Sequence, residues 1–543
     1  MEQPGNPEPR GKRRIIYVSD PSSIASRYLP DPTSAEDLRD WVDDLAASEV
    51  DTFVQEAYTQ GWTVYWRGDQ FDYDARPQHR RFLPLLDAGV QPLAVLVEQS
   101  HRRGMEFVAG FRINDNHGSV SVAQGVGAGG SVIVDNPQWL IKETPPGDFY
   151  QLSSPLDFTF DGVRDFLLAV MTEVVQRFEV DGLELCFRDH YYFPPGTGRE
   201  RQPLMTDLVR RIRAMLDAAA ERKGKKLLLG ARVNQTLDEC HSQGLDVPTW
   251  IHERLIEYVC PMDVMYADFN APYAEFAALT RASDCQLYPG ILPWSSFRAR
   301  RRLNEAPMTQ ANRRALAQTF YGAGADGVSL YNHFEIMHAR GDAHAPFYPM
   351  ALHDFHELRD PQAVLEGRRH YVFDPTWGGH TGFGEDRACT GAIKAQKIVL
   401  ARSQVPAQGE YVFRLYEDLR EARAAMLLFR GFHMTKADRI EVGLNGTPIP
   451  AGTLKCRDNE ARTDFRAFID RASFTAAVQM GAAERHARNL QPGPEPPFCT
   501  CSFALTPSLV QHGENRLSVT LAAGDPAARD DIVIDEVEVL VVP

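Results

Sequence analysis

Several features that would assign this chain of 543 residues to another class of protein are missing from its sequence. No segment approaches the run of roughly 18 to 20 apolar residues that a membrane helix needs. Positive charge is not in excess, because the formal net charge is −15, and this argues against nucleic acid as the main partner. What remains is a composition of 43% apolar and 24% charged residues, which is typical of a globular protein.

Cysteine is scarce and shows no metal-binding pattern. The chain has eight cysteines, of which Cys499 and Cys501 in "CTC" form a close pair. No second pair of ligands at the spacing of a zinc site accompanies them, which disfavours such a site. We therefore expect scattered, reduced thiols. The first residues, "MEQPGNPEPRGKRR", lack the apolar core of a signal peptide. Both features favour a cytoplasmic protein as the sequence is written, or a secreted one if a leader has been removed.

The first two thirds of the chain alternate short apolar segments with amphipathic helical ones. Eight of these segments have the character of strands: "RIIYVSD", "VDTFVQEAY", "MEFVAGFRIND", "DGLELCFRD", "KLLLGARVN", "YVCPMDVMY", "CQLYPGILPW" and "DGVSLYNHF". Eight strands separated by helical crossovers predict an α/β fold, a (β/α)₈ TIM barrel. An open doubly wound sheet is the alternative, but "YVSDPSS" after the first strand lacks the glycine-rich phosphate turn of that fold.

The pattern changes after about residue 360. Segments such as "EYVFRLYEDL", "DRIEVGLNG" and "NRLSVTLAAG" alternate apolar and polar residues, and turn signals such as Asn445-Gly446 separate them. This pattern predicts an all-β jelly-roll or sandwich domain. We therefore predict a disordered tail over residues 1–12, a catalytic barrel over residues 13–360, and a carbohydrate-binding-like β-sandwich over residues 361–543.

The ends of the predicted barrel strands indicate where chemistry would take place. In a parallel barrel the reacting groups lie at the C-terminal ends of the strands, and here those ends are rich in acids, amides, arginines and aromatic rings. Carboxylates and amides bind sugar hydroxyls, rings stack on sugars, and two carboxyls can divide the acid and base roles. The predicted substrate-binding residues are Arg112, Asn114, Asp115, His117, Arg188, Arg232, Tyr266, Trp294, Asn332 and His333.

The fourth predicted strand, "DGLELCFRD", carries a glutamate inside an apolar run. With a period of two, Glu184 and Arg188 face the barrel axis while the leucines face the helices. One interpretation is a catalytic carboxyl, and the other is a structural ion pair with Arg188 that fills the barrel. If water is excluded from the barrel mouth, Glu184 is suited to the role of general acid. A neighbouring Arg188 would instead suit Glu184 to the role of base or nucleophile. We predict Glu184, Asp263 and Asp189 as the catalytic residues, with Asp263 as the preferred partner of Glu184.

Other chemistries have weaker support in the sequence. Arg112, Arg188 and Arg232 would bind an anionic sugar through their guanidinium forks, or would only neutralise the acids. Histidines occur near the predicted mouth, but the first strand lacks the paired His-x-His of barrel metallohydrolases. No G-x-S-x-G elbow for a serine nucleophile occurs either. We expect neither a metal nor a cofactor.

Taken together, the motifs carry a resemblance to a known family. "FRINDNH", "DGLELCFRD", "ARVNQTLDECHSQGLDVPTWI", "GILPW" and "GADGVSLYNHF" resemble bacterial glycosyl-hydrolase-like proteins distantly related to family ten, over roughly residues 13 to 350. The resemblance implies a TIM barrel that acts on a glycosidic bond, with the β-sandwich as an accessory module.

The sequence departs from related glycosidase barrels at two places. The seventh strand, "LYPGILPW", has no carboxylate, although well-studied retaining barrels place a nucleophilic glutamate there. Cys186 stands where several glycosidase barrels have an acid, two residues after the position of Glu184. The second carboxyl would then come from Asp263, Asp115 or Asp189.

The sequence thus predicts a glycoside hydrolase acting on a poly- or oligosaccharide, neutral or anionic. One rival is a non-catalytic carbohydrate-binding barrel. The other is a polysaccharide lyase, with His117 or Tyr266 as base and Arg188 as the neutralising charge. We expect a carbohydrate as the partner, no nucleic acid and no membrane, and the sequence assigns no oligomeric state.

Overall fold

Eight parallel strands form the first part of the fold in the computed structural model. The structure describes residues 15–59, 62–74, 76–114, 130–142, 155–187, 191–262, 267–293, 308–331, 333, 352, 354–373, 397–459 and 497–543. The strands are β1 (Ile15–Ser19), β2 (Thr52–Thr59), β3 (Glu106–Arg112), β4 (Gly182–Cys186), β5 (Leu228–Val233), β6 (Tyr258–Pro261), β7 (Gln286–Leu287 and Gly290–Ile291) and β8 (Val328–Tyr331). Each pairs in parallel with the next, and β8 pairs with β1, so the predicted barrel is confirmed.

The seventh strand closes the barrel in two pieces. Its first segment pairs with β6 and its second pairs with β8. Between the segments, the N–H of Tyr288 donates to Val259 O at 2.9 Å, and the N–H of Ser329 donates to Pro289 O at 3.0 Å. Pro289 has no N–H to give to the ladder. The proline therefore interrupts the regular ladder, while the backbone contacts continue around the barrel.

The helices that connect the strands begin and end at recognisable local signals. Ser34 and Asp37 form a capping box at the start of the second helix, and Thr309 and Asn312 form another. Gly224 ends the longest helix with a φ of 65°. The helices are α1 (Pro21–Arg27), α2 (Ala35–Ala47), α3 (Leu83–Asp87), α4 (Pro92–Arg102), α5 (Ser131–Asp135), α6 (Asp161–Arg177), α7 (Gly198–Lys223), α8 (Leu237–Ser242), α9 (Val247–His252), α10 (Tyr273–Arg281), α11 (Gln310–Ala323) and α12 (Pro361–Glu366). Among these helices, none combines the length and the apolar content that a membrane crossing requires.

Two antiparallel sheets follow the barrel, which confirms the predicted β domain. Their strands are β9 (Arg369–Val372), β10 (Ile398–Leu400), β11 (Ala407–Leu415), β12 (Ala424–Phe432), β13 (Arg439–Leu444), β14 (Thr447–Pro448), β15 (Lys455–Asn459), β16 (Phe498–Ala504), β17 (Gly513–Ala523) and β18 (Ile532–Val542). One sheet has the order β9-β18-β12-β16-β15, with β10 also paired to β18, and the other has the order β11-β17-β13-β14. The boundary at residue 360 stays a prediction.

A disulfide links two neighbouring strands of the β domain. Cys456 and Cys501 are register partners on β15 and β16, and their sulfurs are bonded. The expectation of reduced thiols is therefore wrong for this pair. No local motif indicates this bond, because strand register brings the two cysteines together across a separation of 45 residues.

The barrel and the β domain are in direct contact. The side chain of Asn270 donates to Val412 O at 2.9 Å and accepts from the N–H of Arg414 at 2.8 Å. On α11, the amide of Gln318 donates to Tyr416 O at 2.8 Å. These bonds attach β11 and the residues after it to the segment before α10 and to α11.

Candidate active site

One level of the barrel interior carries two glutamates. Glu56, Gly110, Glu184, Gly230 and Tyr258 are consecutive register partners from β2 to β6. Register partners on parallel strands project to the same side of the sheet, so this level faces the barrel axis. Both glutamates are only 1% exposed.

Glycines on the two neighbouring strands make room beside Glu184. A Cβ at Gly230 would lie 2.0 Å from the Tyr258 ring, and a Cβ at Gly110 would lie 3.3 Å from Glu56 Cγ. The missing side chain of Gly230 therefore lets the Tyr258 ring cross in front of β5. Its hydroxyl reaches Glu184 and donates to Oε2 at 3.1 Å.

Glu184 and Arg232 form a buried ion pair. Nε of Arg232 donates to Glu184 Oε1 at 2.8 Å, and Nη2 donates to Oε2 at 3.3 Å. The arginine side chain is 0% exposed and that of the glutamate 1%. Burial by itself would lower the pKa of Arg232, but the Glu184 carboxylate more than offsets this and the pKa is raised. Arg232 therefore stays charged, and Glu184 is held as a hydrogen-bond acceptor.

Arg232 reaches Glu184 through strand register. Residues four apart on one strand are separated by roughly 13 Å, whereas register partners on adjacent strands are about 4.8 Å apart. Arg232 is the register partner of Cys186 on β4, two residues beyond Glu184. An arginine on the next strand therefore provides an ion pair for Glu184, and the pairing with Arg188 that was considered from the sequence stays a prediction. Arg188 itself lies outside the described residues.

Arg232 connects this ion pair to the far side of the barrel. Its Nη2 donates to Ser329 Oγ at 2.7 Å, and its Cζ lies 5.3 Å from the centre of the Tyr331 ring. The Tyr331 hydroxyl donates to Glu56 Oε1 at 2.6 Å. Tyr331 thus contacts the arginine through its ring and the second glutamate through its hydroxyl. The two glutamates belong to one polar network across the barrel.

A second arginine completes the network at the C-terminal ends of β1 to β3. Nε of Arg112 lies 3.8 Å from Glu56 Oε1, and its Nη1 lies 3.8 Å from Asp20 Oδ2. Asp20 also accepts from the N–H of Ser22 at 2.8 Å and caps α1. All three charged side chains are at most 7% exposed. The mouth of the barrel thus contains alternating carboxylates and guanidinium groups.

Two other predicted binding residues lie in packed surroundings. The amide of Asn114 accepts from the N–H of Leu156 at 2.9 Å and donates to Leu156 O at 2.8 Å and Tyr191 O at 2.5 Å. His333 is 0% exposed, and its Nε2 lies 3.2 Å from Ile291 O. Burial, with a smaller contribution from Arg313, lowers the pKa of His333 to about 3, so the ring is neutral at neutral pH. Asn114 joins two loops, and His333 belongs to the core.

The other predicted site residues lie outside the described part of the chain, and their roles stay predictions. They are Asp115, His117, Arg188, Asp189, Asp263, Tyr266, Trp294 and Asn332. Within the described ranges, no three histidine, cysteine, aspartate or glutamate side chains gather as metal ligands do.

A family model supports the interpretation of this barrel. Residues 16–211 match the family described as Glycosyl hydrolase-like 10. The chain is similar to that family over this segment, which is 196 of its 543 residues. The match runs from β1 into α7, so it includes Asp20, Glu56, Arg112 and Glu184 and leaves the remainder of the barrel outside. No curated protein matches the chain.

Solved structures similar to this chain include glycoside hydrolases, at low identity. The α-L-fucosidase isoenzyme 2 of Paenibacillus thiaminolyticus is 11% identical over 66% of this chain and 49% of its own, with a TM-score of 0.38. The α-amylase of Geobacillus thermoleovorans is 11% identical over 76% of this chain and 91% of its own, with a TM-score of 0.40. The PgaB (BpsB) glycoside hydrolase domain of Bordetella bronchiseptica is 12% identical over 64% and 99%, with a TM-score of 0.41. Likeness at this level carries no argument about substrate.

Sequence reasoning missed two acids of the barrel interior, Asp20 and Glu56. Asp20 ends "YVSD" and Glu56 lies inside "VQEAY", so both belong to strands that were recognised. The signal was the same as for Glu184, an acid at an inward position of an apolar strand.

The end of β5 also carries buried amides without hydrogen-bond partners. The side chains of Asn234 and Gln235 are 1% and 0% exposed, and neither their nitrogen nor their oxygen atoms have a partner. Such groups are rare in folded proteins and call for an explanation. They directly follow the strand that carries Arg232.

Proposed function

We propose that the barrel hydrolyses a glycosidic bond of a neutral oligo- or polysaccharide at the C-terminal ends of its strands. The observation that carries this proposal is the pair of buried glutamates, Glu56 and Glu184, on one level of the interior. Two strand spacings separate their Cα atoms by about 10 Å. Their side chains converge toward the axis, so their carboxyl groups can approach the separation of roughly 5 to 10 Å found in glycosidases.

The contacts of Glu184 favour one of the two catalytic roles. Three donor groups point at its oxygens, two from the charged Arg232 and one from the Tyr258 hydroxyl. Donors of this kind stabilise a carboxylate, which is the form required of a nucleophile or base. The general acid would then be Glu56, or one of the predicted residues Asp189 and Asp263.

Charge at the mouth supports a neutral substrate over an anionic one. Arg232 faces Glu184, and Arg112 faces Glu56 and Asp20. A uronate or sulfate would therefore have to compete with these carboxylates for the two arginines. The amides of Asn234 and Gln235 offer uncharged donors and acceptors beside them. Hydroxyl groups suit such amides, which also makes the lyase alternative less favourable.

A non-catalytic carbohydrate-binding barrel is the second candidate. The observation in its favour is that Glu184 is 1% exposed and already bonded to Arg232 and Tyr258. A glutamate that only fills the barrel would have the same contacts.

A screen for reducing-sugar release distinguishes the two candidates. Neutral and anionic polysaccharides are incubated with the wild type, Glu184→Gln and Glu56→Gln. The control is Glu417→Gln, since Glu417 is a buried glutamate of the β domain that holds Arg369 at 2.5 Å. We expect release from a neutral substrate that is lost in both barrel variants and kept in the control. Unchanged release by Glu184→Gln would contradict the proposal, and binding without release by any protein would support the binding barrel.

A further inference from the structure

The two glutamates on one level of the barrel interior are held by different kinds of donor. Glu184 accepts from the charged Arg232 at 2.8 and 3.3 Å, so a full positive charge is in contact with its carboxylate. The hydroxyl of Tyr331 donates to Glu56 Oε1 at 2.6 Å, whereas Nε of Arg112 lies 3.8 Å from the same oxygen. The two carboxyl groups are therefore not equivalent.

This difference indicates which glutamate carries a proton. Two carboxylates that share a buried site disfavour being ionised together, so one of them tends to hold a proton. Arg232 is in direct contact with Glu184 and favours its ionised form. Arg112 is shared between Glu56 and Asp20, at 3.8 Å from each, and therefore compensates the charge of each one less. We expect the proton on Glu56, which is then in the form that a general acid needs.

Tyr331 fixes the direction of the Glu56 carboxyl group. Tyr331 is fully buried and is the last residue of β8, where it pairs with Val18 of β1. Because its hydroxyl donates to Oε1, a proton on this carboxyl group belongs on the other oxygen, Oε2. Oε1 can accept a hydrogen bond whether the group is ionised or protonated. The bond from Tyr331 is therefore compatible with a carboxyl group that loses and regains a proton.

The ring of Tyr331 connects Glu56 with the ion pair of Glu184. Cζ of Arg232 lies 5.3 Å from the ring centre, a distance at which an aromatic face attracts a guanidinium group. Arg232 also donates to Ser329 Oγ at 2.7 Å, two residues before Tyr331 on the same strand. The guanidinium group that bonds to Glu184 thus also packs on the ring whose hydroxyl holds Glu56. One side chain on a strand links the orientations of both glutamates.

We propose that Tyr331 is the positioning residue for Glu56 as the general acid, with Glu184 as the nucleophile or base. The inference rests on the proposed function and adds to it the residue that orients the acid.

In the reaction, Glu56 gives its proton to the glycosidic oxygen while the bond from this oxygen to the anomeric carbon breaks. With Glu184 as nucleophile, its carboxylate forms the new bond to this carbon, and a water molecule later displaces it and returns a proton to Glu56. With Glu184 as base, water attacks directly and its proton passes to Glu184, after which both glutamates exchange protons with solvent. One water molecule is consumed for each bond broken in either case.

The test measures kcat and KM against pH on hexasaccharides of glucose, mannose, xylose and N-acetylglucosamine, with each rate corrected for the folded fraction. Tyr331→Phe removes the hydroxyl and keeps the ring. Tyr258→Phe removes the hydroxyl that donates to Glu184 Oε2 at 3.1 Å. Tyr321→Phe is the control, because its hydroxyl is also buried but donates to the backbone carbonyls of residues 358 and 359, away from both glutamates.

Removing the Tyr331 hydroxyl should lower kcat by about 10- to 100-fold, which is part of what a general acid supplies, and should change KM by less than about twofold. A donor to a carboxylate favours its ionised form. Without this donor Glu56 keeps its proton to higher pH, so the basic limb of the kcat/KM profile should move to higher pH. By the same reasoning Tyr258→Phe should move the acidic limb to higher pH. Tyr321→Phe should move neither limb.

A wild-type kcat and an unmoved basic limb in Tyr331→Phe would overturn the positioning role, while sugar release by the wild type would still support the proposed function. Movement of the acidic limb in Tyr331→Phe would assign this tyrosine to the base and would also overturn the inference. An equal loss of kcat with the same limb moved in Tyr321→Phe would show that the effect is structural and the inference wrong. No release by the wild type from any of the hexasaccharides would remove the proposed function, and the inference with it.

Discussion

The barrel and the β domain each contain a buried glutamate held by one arginine and one tyrosine. In the barrel, Glu184 accepts from Arg232 at 2.8 and 3.3 Å and from Tyr258 at 3.1 Å. In the β domain, Glu417 accepts from Arg369 at 2.5 and 3.0 Å and from Tyr371 at 2.6 Å. The groups and the bonding are the same in both clusters.

The surroundings of the two arginines differ. Arg369 gives its remaining donors to the backbone carbonyls of Leu365 and Gly367, both at 2.6 Å, so it closes a turn of the chain. Arg232 contacts side chains of β8 instead, the Ser329 hydroxyl and the Tyr331 ring, and through Tyr331 it reaches a second glutamate. A buried ion pair alone therefore does not indicate chemistry. A second carboxylate in the same network is what distinguishes the barrel cluster.

The largest expected effect is on stability, when either arginine is removed. Arg232→Met and Arg369→Met each leave a buried carboxylate without its partner, which costs about 3 to 5 kcal/mol. Urea unfolding should show a loss of this size for both variants. Adding Glu184→Gln to Arg232→Met should restore part of the loss, and the corresponding Glu417→Gln should do so for Arg369→Met. If Arg232→Met unfolds at the wild-type urea concentration, the ion pair described for the barrel is absent in solution.

A smaller loss is expected from filling the space beside Glu184. Gly230→Ala places a methyl group against the Tyr258 ring, where a Cβ would lie 2.0 Å from it. Overpacking of this kind costs about 1 to 3 kcal/mol, and it should also weaken sugar release by moving the Tyr258 hydroxyl. Gly452→Ala in the β domain is the control, because a Cβ there meets nothing within 4 Å. Equal stability of the two variants in urea would show that Gly230 is not needed for space.

The smallest of these effects concerns pH and the barrel histidine. The pKa of His333 is lowered to about 3, so the unfolded chain binds a proton below its ordinary value near 6.5 while the folded chain does not. The contribution of His333 to the free energy of unfolding is therefore fully present above about pH 6.5 and decreases as the pH drops toward 3. The loss is about 2 kcal/mol by pH 5.

His333→Leu should remove that part of the pH dependence. The check is unfolding in urea at pH 7 and pH 5 for wild type and variant. If the free energy of unfolding changes by the same amount between pH 7 and pH 5 in the wild type and in His333→Leu, His333 is not both buried and neutral in the folded protein.

Much of the fold was predictable because it follows from local patterns. The spacing of apolar residues and the turn residues between segments identified all eight barrel strands and the change to antiparallel sheets. The alternation of side-chain direction along "DGLELCFRD" predicted that Glu184 faces inward. The partner of Glu184 was not predictable in the same way. Arg232 is 48 residues further on and reaches Glu184 through strand register, which a single strand does not encode.

The rest of the site escaped sequence reasoning for related reasons. Glu56 and Asp20 carried the same signal as Glu184, an acid at an inward position of an apolar strand, but their place beside Arg112 depends on contacts between different strands. His333 was assigned to the mouth because it follows a strand, yet it packs at 4.9 Å against the ring of Phe355.

The central claim is that the barrel glutamate takes part in chemistry and its counterpart in the β domain does not. The most direct test compares the rates of reducing-sugar release by wild type, Glu184→Gln and Glu417→Gln on one neutral oligosaccharide, each corrected for the folded fraction. The account predicts that Glu184→Gln lowers the rate by about 10²- to 10⁴-fold, while Glu417→Gln keeps the wild-type rate. Equal losses in the two variants, or a wild-type rate in Glu184→Gln, would contradict it.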